Sequence, residues 1–275
     1  MIVLKIDSQT KLYGLLGHPV SHSHSPQIHN PKFEEYGINA AYLAFDVAPE
    51  ALKQAVAGFF TLGAEGANVT VPHKETIIPF LAEISEEARM IGAVNTLVRT
   101  DTGFRGENTD GRGFLRSLFL EQHFEPEDQQ VVIFGAGGAC RAIAVSLALE
   151  KARKITMVNR SKGRAEAISD LIHKETSCQS QVFCYEDRKE VQEAMAEADL
   201  LINTTTLGMS PDVGRMPDVD VSVIGRHHLV ADIIYNPKET LFLQEAKKQG
   251  ARTINGYGML VHQASLSFYA WTGKE

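Results

Sequence analysis

A glycine-rich turn between an apolar segment and an alanine-rich segment constrains the fold more than any other feature. Residues 131–141 read VVIFGAGGACR, so a predicted strand ends at Gly135 and a predicted helix begins at Gly138. Glycines at such a turn allow a tight backbone path and leave N–H groups at the helix N-terminus open to a pyrophosphate. The pattern predicts dinucleotide binding, although Cys140 stands where the third glycine is usual. A plain glycine turn before a packed helix is the alternative.

Strand and helix patterns alternate along all 275 residues, which predicts mostly parallel sheets covered by helices. DTG at 101–103 predicts a hairpin turn between two short antiparallel strands. The predicted helices include 74–81, 84–90, 111–122, 138–150 and 162–174, and the predicted strands of the C-terminal half are 130–134, 155–158, 182–185, 200–203, 229–234 and 252–254. From residue 130 the order is βαβαβ, the half-fold that binds a nucleotide. The length suggests about two domains. We predict a first domain at 1–109, a nucleotide-binding domain at 110–240, and C-terminal helices at 241–275 that return to the first domain.

A basic loop follows the second strand of the nucleotide-binding half. Residues 159–164 read NRSKGR, with no acidic residue where NAD-binding proteins bond the ribose 2′-hydroxyl. Arginine forks suit phosphate oxygens, so the loop favours NADP over NAD. The alternative is a solvated helix start capped by Ser161, but cations are unfavourable at a helix N-terminus.

Polar residues in the N-terminal half follow predicted strands or precede predicted helices. Lys74 lies in NVTVPHKE (68–75), where a buried strand ends. Most lysines lie on solvated faces, but α/β enzymes place functional groups at such strand ends. Ser25 in HSHSPQIHN and Asp110 in NTDGRGF are also good helix N-caps, which would explain them structurally.

Bulk properties exclude several classes of protein. The net charge of −7 gives no electrostatic footprint for nucleic acid or an anionic membrane, and no apolar run reaches the length of a membrane span. The N-terminus has no signal-peptide pattern. Three cysteines without a CxxC motif favour the reducing cytoplasm. Histidines 18, 22, 24 and 29 lack a supporting cysteine or acidic cluster, so we expect no metal site.

Taken together, these segments resemble the shikimate dehydrogenases. The motifs GxPxxHSxSPxIHN, NVTxPxK, GAxNT, NTDGxGF, GAGGAxR, NRSxxRA, DxxYNP and GxxMLxxQA occur in this order over nearly the whole chain. The resemblance implies an N-terminal α/β substrate domain, a Rossmann-like doubly wound NADP-binding domain, and a cleft between them. It implies reversible NADPH-dependent reduction of 3-dehydroshikimate to shikimate, in aromatic amino-acid precursor biosynthesis.

The resemblance also implies roles for individual residues. Lys74 and Asp110 would form the catalytic pair. The substrate would be bound by Ser23, Ser25, Asn68, Thr70, Asn95, Tyr235 and Gln263. The cofactor would be bound by Gly135, Ala136, Gly137, Gly138, Ala139, Asn159, Arg160, Ser161, Arg164, Ile233, Gly256 and Glu86. Two departures from the pattern are Ser161, where threonine is common, and Pro31-Lys32, which replace small residues.

Three alternatives stay open at this stage. A quinate/shikimate dehydrogenase with looser cofactor use would carry the same motifs. A non-catalytic NADP-binding regulator would keep the glycine and arginine loops without needing Lys74 and Asp110 together. Another amino- or hydroxy-acid oxidoreductase of two-domain build is opposed by the paired serines. Both a monomer and a homodimer are compatible with the sequence.

Overall fold

The computed structural model describes residues 6–21 and 23–274, and its backbone divides into two compact units. The first unit comprises Met1–Thr109 and Gln263–Glu275, and the second comprises Asp110–His262. His22, one of the four histidines considered above, lies outside the described residues. Within residues 6–21 and 23–274, no helix has the length and apolar character needed to cross a membrane.

The first unit is built on a six-stranded mixed sheet with the strand order β2-β1-β3-β5-β6-β4. Its strands are β1 (Lys11–Gly17), β2 (Ala40–Asp46), β3 (Gly66–Val69), β4 (Glu83–Ile84), β5 (Thr96–Arg99) and β6 (Phe104–Glu107). Its helices are α1 (Ser25–Glu35), α2 (Leu52–Thr61), α3 (His73–Thr76) and α4 (Glu86–Ile91). The strands β1, β2 and β3 run parallel, whereas β5 pairs antiparallel with both β3 and β6.

Apolar side chains cover both faces of this sheet. One cluster includes Leu16, Val69, Leu97 and Phe104, and a second includes Leu15 and Tyr42. The predicted hairpin at 101–103 is confirmed, because β5 and β6 pair antiparallel and Thr100 N–H donates to the Gly103 oxygen at 2.8 Å.

Two helix predictions in this unit were wrong in extent. A helix was expected over 74–81, but α3 ends at Thr76 and a 3₁₀ turn follows at Ile78–Phe80. Pro79 lacks an N–H donor and its ring crowds the preceding turn, so the α-helix cannot continue through it. A helix was also expected from residue 84, but Glu83–Ile84 forms the short β4, and α4 starts after Ser85, whose hydroxyl caps it.

The second unit is a six-stranded sheet with the order β12-β11-β10-β7-β8-β9, in which every strand pair is parallel. Its strands are β7 (Gln130–Phe134), β8 (Lys154–Asn159), β9 (Gln179–Cys184), β10 (Leu200–Asn203), β11 (Leu229–Asp232) and β12 (Arg252–Ile254). Its helices are α5 (Asp110–Gln122), α6 (Gly138–Leu149), α7 (Lys162–Glu175), α8 (Arg188–Glu197) and α9 (Leu241–Lys248). This order, with β7 at the switch point, is that of a doubly wound nucleotide-binding sheet and confirms the predicted fold class.

The central strands of the second unit are buried on both faces, as parallel strands covered by helices require. Ile133, Ile155, Ile202 and Ala231 are fully buried. The strand β12 extends this sheet, because it pairs parallel with β11. Residues 241–262 therefore belong to the second unit, whereas the sequence analysis grouped them with the C-terminal helices. The boundary falls inside the last helix, α10 (Tyr257–Thr272).

Candidate active site

The glycine turn of the second unit leaves room for a phosphate group. Gly135 has φ +107°, and a Cβ there would lie 2.7 Å from Thr204 Oγ1, so only glycine fits. Gly137 and Gly138 face open space, since an added Cβ would meet no atom within 4 Å. Backbone N–H groups at the start of α6 are therefore open to a pyrophosphate. Cys140 stands where the third glycine of the motif is usual, and its fully buried side chain packs into the core.

The basic loop between β8 and α7 presents two arginines. Arg160 and Arg164 are exposed, and neither forms an ion pair with any residue in 6–21 or 23–274. The ammonium group of Lys162 instead lies 3.1 Å from the Asp187 carboxylate. The hydrogen bond from Cys184 N–H lowers the pKa of Asp187, and the nearby Lys162 lowers it further. Two cations thus face solvent where a 2′-phosphate is expected, and the third is neutralised.

Ser161 occupies the N-cap position of α7, but its side chain makes no capping hydrogen bond. Its main-chain oxygen accepts from Asn159 Nδ2 at 2.9 Å, which ties these two loop residues together. The alternative of a capped and fully solvated helix start therefore does not describe this loop.

The ends of β11 and β12 bring Ile233 and Gly256 together. A Cβ on Gly256 would lie 1.8 Å from the Ile233 main-chain oxygen, and Gly256 N–H donates to the Ile234 oxygen at 3.1 Å. Two backbones can approach this closely only where one residue is glycine. Tyr235 follows directly and is 44% exposed, so its side chain is accessible to a ligand.

Asp232 holds this region in place, a role that the sequence analysis missed. Its carboxylate accepts hydrogen bonds from Asn203 Nδ2 at 3.0 Å, Thr240 Oγ1 at 2.7 Å and Ile234 N–H at 3.0 Å. Burial raises the pKa of Asp232 to about 6. The motif DxxYNP was the available signal, because an acidic residue at the end of a buried strand needs partners.

In the first unit, Ser23 and Ser25 lie side by side. Their Oγ atoms are 3.1 Å apart, and Ser25 N–H donates to Ser23 Oγ at 3.2 Å. Ser25 is the first residue of α1, and His24 occupies the N-cap position without a side-chain capping bond. The N-cap assignment of Ser25 was therefore wrong by one residue, and capping does not account for its hydroxyl. Thr70 packs against the end of β1, since its Cγ2 would be 2.3 Å from a Cβ on Gly17.

Lys74 lies in α3, shortly after the end of β3, and is held through its main chain. Its carbonyl oxygen accepts from Val94 N–H at 2.7 Å. The preceding residue, His73, is fully buried, and its Nε2 lies 2.6 Å from the Val47 oxygen. These contacts fix the turn that carries the half-buried Lys74 side chain.

The other predicted acidic residues begin helices. Asp110 is the first residue of α5 in the second unit, so a capping position before the helix does not describe it. A carboxylate is favoured in the first helical turn. Glu86 begins α4 in the first unit, and its side chain is 83% exposed and 3.9 Å from Arg89 Nη2.

A buried polar network surrounds Asn68 and Asn95. Asn68 Oδ1 accepts from the Tyr42 hydroxyl at 2.8 Å, and Asn68 Nδ2 donates to Ser267 Oγ at 3.0 Å and to the Asn95 main-chain oxygen at 3.2 Å. Asn95 Oδ1 accepts from Thr109 N–H at 2.9 Å. All five residues are at most 6% exposed. The structure thus brings two predicted substrate-binding amides into one network.

Four members of this network were missed from the sequence, namely Tyr42, Thr96, Thr109 and Ser267. Thr96 Oγ1 is 2.7 Å from Ser267 Oγ and donates to Asn95 Oδ1 at 2.8 Å. The main-chain oxygen of Gln263 accepts from Thr109 Oγ1 at 3.0 Å and from Ser267 Oγ at 3.1 Å. Ser267 lies four residues after Gln263 on α10, so a shared helix face was the available signal. Among the described residues, no group of three His, Cys, Asp or Glu side chains could hold a metal ion.

Comparison with known proteins adds evidence over the whole chain. Residues 15–97 match the family model for the shikimate dehydrogenase substrate binding domain, and residues 119–212 match that for shikimate / quinate 5-dehydrogenase. The shikimate dehydrogenase (NADP(+)) of Caldanaerobacter subterraneus subsp. tengcongensis is 46% identical, over 98% of this chain and 95% of the relative.

Solved structures agree in fold. Shikimate 5-dehydrogenase from Listeria monocytogenes, in complex with shikimate and NAD, superposes with a TM-score of 0.96 at 36% identity, over 100% of this chain and 96% of that one. Quinate dehydrogenase from Corynebacterium glutamicum, in complex with NAD, gives 0.87 at 32% identity, over 97% and 95%. With both domain models matched in order and 46% identity to a relative over nearly its full length, this chain belongs to the shikimate dehydrogenase family.

Proposed function

We propose that this chain catalyses the reversible NADPH-dependent reduction of 3-dehydroshikimate to shikimate. The observation that carries the proposal is the 46% identity to an NADP-dependent shikimate dehydrogenase over 98% of the chain, with all eight motifs in order. A small carboxylated ring with three hydroxyls needs hydroxyl and amide partners, because an unpaired buried hydroxyl costs about 1–3 kcal/mol. Ser23, Ser25, Asn68, Thr70, Asn95, Tyr235 and Gln263 are the proposed partners.

NADP is the proposed cofactor. The open N-terminus of α6 suits its pyrophosphate, and Arg160 and Arg164 suit a 2′-phosphate. Ile233 and Gly256 would lie beside the nicotinamide, which when bound supplies or accepts the hydride. Asn159, Ser161 and Glu86 complete the proposed cofactor contacts.

Proton transfer is assigned to Lys74 and Asp110. A lysine within hydrogen-bond reach of the substrate oxygen can donate a proton as the ketone becomes a hydroxyl, and can accept it in the reverse direction. We assign Asp110 the role of supporting the ammonium charge, so that the two groups titrate as a pair. The proposed chemistry uses no metal ion.

The proposal includes a cytoplasmic location and a monomeric or homodimeric state. Cys140, Cys178 and Cys184 carry free thiols, which suits a reducing cytoplasm. The proposed partner is the small-molecule substrate, and the protein would act as a monomer or a homodimer.

Quinate is a second candidate substrate. The similarity to the Corynebacterium glutamicum quinate dehydrogenase, at 32% identity, favours testing it together with NAD. The exposed arginine pair favours NADP over NAD in this chain.

The test is an absorbance assay on purified protein with shikimate or quinate, each paired with NADP or NAD. We expect fast turnover with shikimate and NADP, and slow turnover with the other three pairs. Turnover mainly with quinate and NAD would show that the chain acts as a quinate dehydrogenase. Absence of turnover with all four pairs, despite measurable NADP binding, would support a non-catalytic regulator and reject the enzyme.

A further inference from the structure

The side-chain amide of Asn68 has only one orientation that satisfies its neighbours. The Asn95 main-chain oxygen lies 3.2 Å from one of its terminal atoms, and a carbonyl oxygen can only accept a hydrogen bond. The atom facing it must therefore be Nδ2, which donates there and to Ser267 Oγ at 3.0 Å. Oδ1 consequently faces the Tyr42 hydroxyl at 2.8 Å, and that hydroxyl must donate.

Tyr42 is built to keep this donor in place. Its ring is fully buried on β2 and stacks on the His29 ring at 4.6 Å between centroids, while His29 also lies beside the Asn68 amide. Asn30 Oδ1 accepts from Tyr42 N–H at 2.8 Å, so the main chain is fixed as well. Burial raises the pKa of the Tyr42 phenol far above its ordinary value, so the hydroxyl keeps its proton at physiological pH.

The consequence for a bound ligand follows from these partners. Asn68 Nδ2 has three acceptors within the protein, namely the Asn95 carbonyl, Ser267 Oγ and, at 3.4 Å, Thr96 Oγ1, so neither of its two hydrogens is left for a ligand. A carboxamide oxygen has two acceptor positions, and Tyr42 occupies one. Asn68 can therefore offer a substrate hydroxyl an acceptor and not a donor.

We propose that Tyr42 is a positioning residue that holds the Asn68 amide as a hydrogen-bond acceptor for one substrate hydroxyl. The inference rests on the proposed function, because it takes the ligand to be a hydroxylated ring of the shikimate type. Tyr42 touches no reacting atom in this scheme. Its hydroxyl also lies beside the side chain of Ser25, another proposed substrate partner. The tests below therefore separate an effect through Asn68 on ring recognition from an effect through Ser25.

The test removes only the donor. Tyr42→Phe keeps the buried ring and deletes the hydroxyl, so Asn68 loses the partner that fixes its oxygen. We expect the dissociation constant of shikimate, measured by calorimetry, and its KM to rise about 3- to 10-fold, as loss of one hydrogen bond implies. The kcat should change less than about 2-fold, because the contact is equally present in ground and transition states. The affinity for NADP should not change.

Tyr13→Phe is the matched control. Tyr13 is 2% exposed in the same aromatic cluster, 4.8 Å from Phe33 and 5.2 Å from Trp271 between ring centroids. Within residues 6–21 and 23–274 its hydroxyl makes no hydrogen bond to Asn68. This variant should bind shikimate as the wild type does, which separates the Tyr42 hydroxyl from general packing.

Two further measurements show whether Tyr42 acts through Asn68. In an Asn68→Ala background, Tyr42→Phe should cause no further loss of shikimate affinity. Among monodeoxy shikimates, one analogue should bind wild type and Tyr42→Phe equally, since it lacks the hydroxyl that Asn68 accepts from. The analogue series needs no second substitution. It therefore shows whether Tyr42 acts through Asn68 even if the Asn68→Ala variant folds poorly.

The outcomes separate this inference from the proposed function. Unchanged shikimate affinity in Tyr42→Phe, or the same loss with every deoxy analogue, would overturn the role of Tyr42 and leave the proposed function intact. Failure of the wild type to bind or oxidise shikimate would overturn both.

Discussion

Lys74 combines a fixed main chain in α3 with a half-buried side chain, which suits the proton-transfer role proposed for it. Lys74→Ala should lower kcat for shikimate oxidation by at least about 10²-fold, the usual contribution of a general acid–base group. The dissociation constant of NADP should change little. Lys53→Ala, on the exposed face of α2, serves as control in the same assay. Near-full turnover of Lys74→Ala would remove this residue from the mechanism.

The basic loop allows a contrast between neighbouring cations. Arg160→Ala combined with Arg164→Ala should raise the KM for NADP far more than that for NAD, because only NADP carries the 2′-phosphate. Lys162→Ala should have a smaller effect, since its ammonium already lies 3.1 Å from Asp187. The KM values of these variants for NADP and for NAD are measured by steady-state kinetics. Equal effects on NADP and NAD would show that the arginines do not recognise the phosphate.

At the scale of residues, the sequence reveals groups that sit in local motifs and hides those that meet only in space. Asn68, Lys74 and Asn95 stand out because each follows or interrupts a strand pattern. Tyr42 and Ser267 look like ordinary strand and helix residues. Their importance depends on Asn68, and Ser267 is 199 positions away from it, a distance that no local pattern spans.

Asp232 joins the ends of two neighbouring strands, because its carboxylate receives Asn203 from the end of β10 and Thr240 from the start of α9. Burial raises its pKa from an ordinary 3.8 to about 6. Well below the unfolded-state pKa of 3.8 the carboxyl is protonated in both the folded and the unfolded state. As pH rises from about 4 to about 6, the unfolded state ionises while the folded state keeps its proton, so stability is lost; above about pH 6 both states ionise and the loss levels off.

Asp232→Asn should therefore flatten part of the pH dependence of stability. The free energy of unfolding of the wild type, relative to the variant, should fall by about 2–3 kcal/mol between pH 4 and pH 7, since one pKa unit corresponds to about 1.4 kcal/mol. The substitution also changes the hydrogen bonds at this site. This shifts the free energy of unfolding by the same amount at every pH and leaves its dependence on pH unchanged. Urea unfolding at several pH values measures it, with the exposed Asp170→Asn as control. Parallel curves for wild type and Asp232→Asn would contradict the prediction.

Elements with a clear period were predicted well, and short elements were not. The strands of the second unit and the long helices α5, α6 and α7 appear within a few residues of their expected bounds. The four-residue α3 and the two-residue β4 did not, because elements so short have no period to detect. Pro79 was visible in the sequence, and its effect on the helix was the avoidable error.

At the scale of the whole chain, the alternation of strands and helices predicted helix-covered sheets, and the βαβαβ order from residue 130 predicted the nucleotide-binding half. The assignment of the N-terminal half to substrate binding came only from the resemblance to the shikimate dehydrogenases. The placement of 241–262 was not predictable, because nothing in β12 itself marks which sheet edge it joins. Only its parallel pairing with β11 shows this.

Cofactor binding should stabilise the protein against unfolding. NADP at about 100 times its dissociation constant should add about 3 kcal/mol, since it binds only the folded state. The melting temperature should rise with NADP concentration, and NAD at equal concentration should raise it less. In the Arg160→Ala, Arg164→Ala variant the two cofactors should become similar. Equal shifts by NADP and NAD in the wild type would count against NADP preference.

The orientations of Asn68 and Asn95 are set by the main chain. A main-chain carbonyl group faces one amide and a main-chain N–H group faces the other, so no substitution deletes the first and only proline at position 109 would delete the second. The polarity of these two positions can therefore be inherited unchanged while surrounding side chains diverge. A descendant of this protein could acquire a new ring substrate by replacing residues around the amides, but it could not easily reverse an acceptor into a donor without rebuilding the strands. In this sense the backbone conserves a chemical preference that the amino-acid sequence alone does not record.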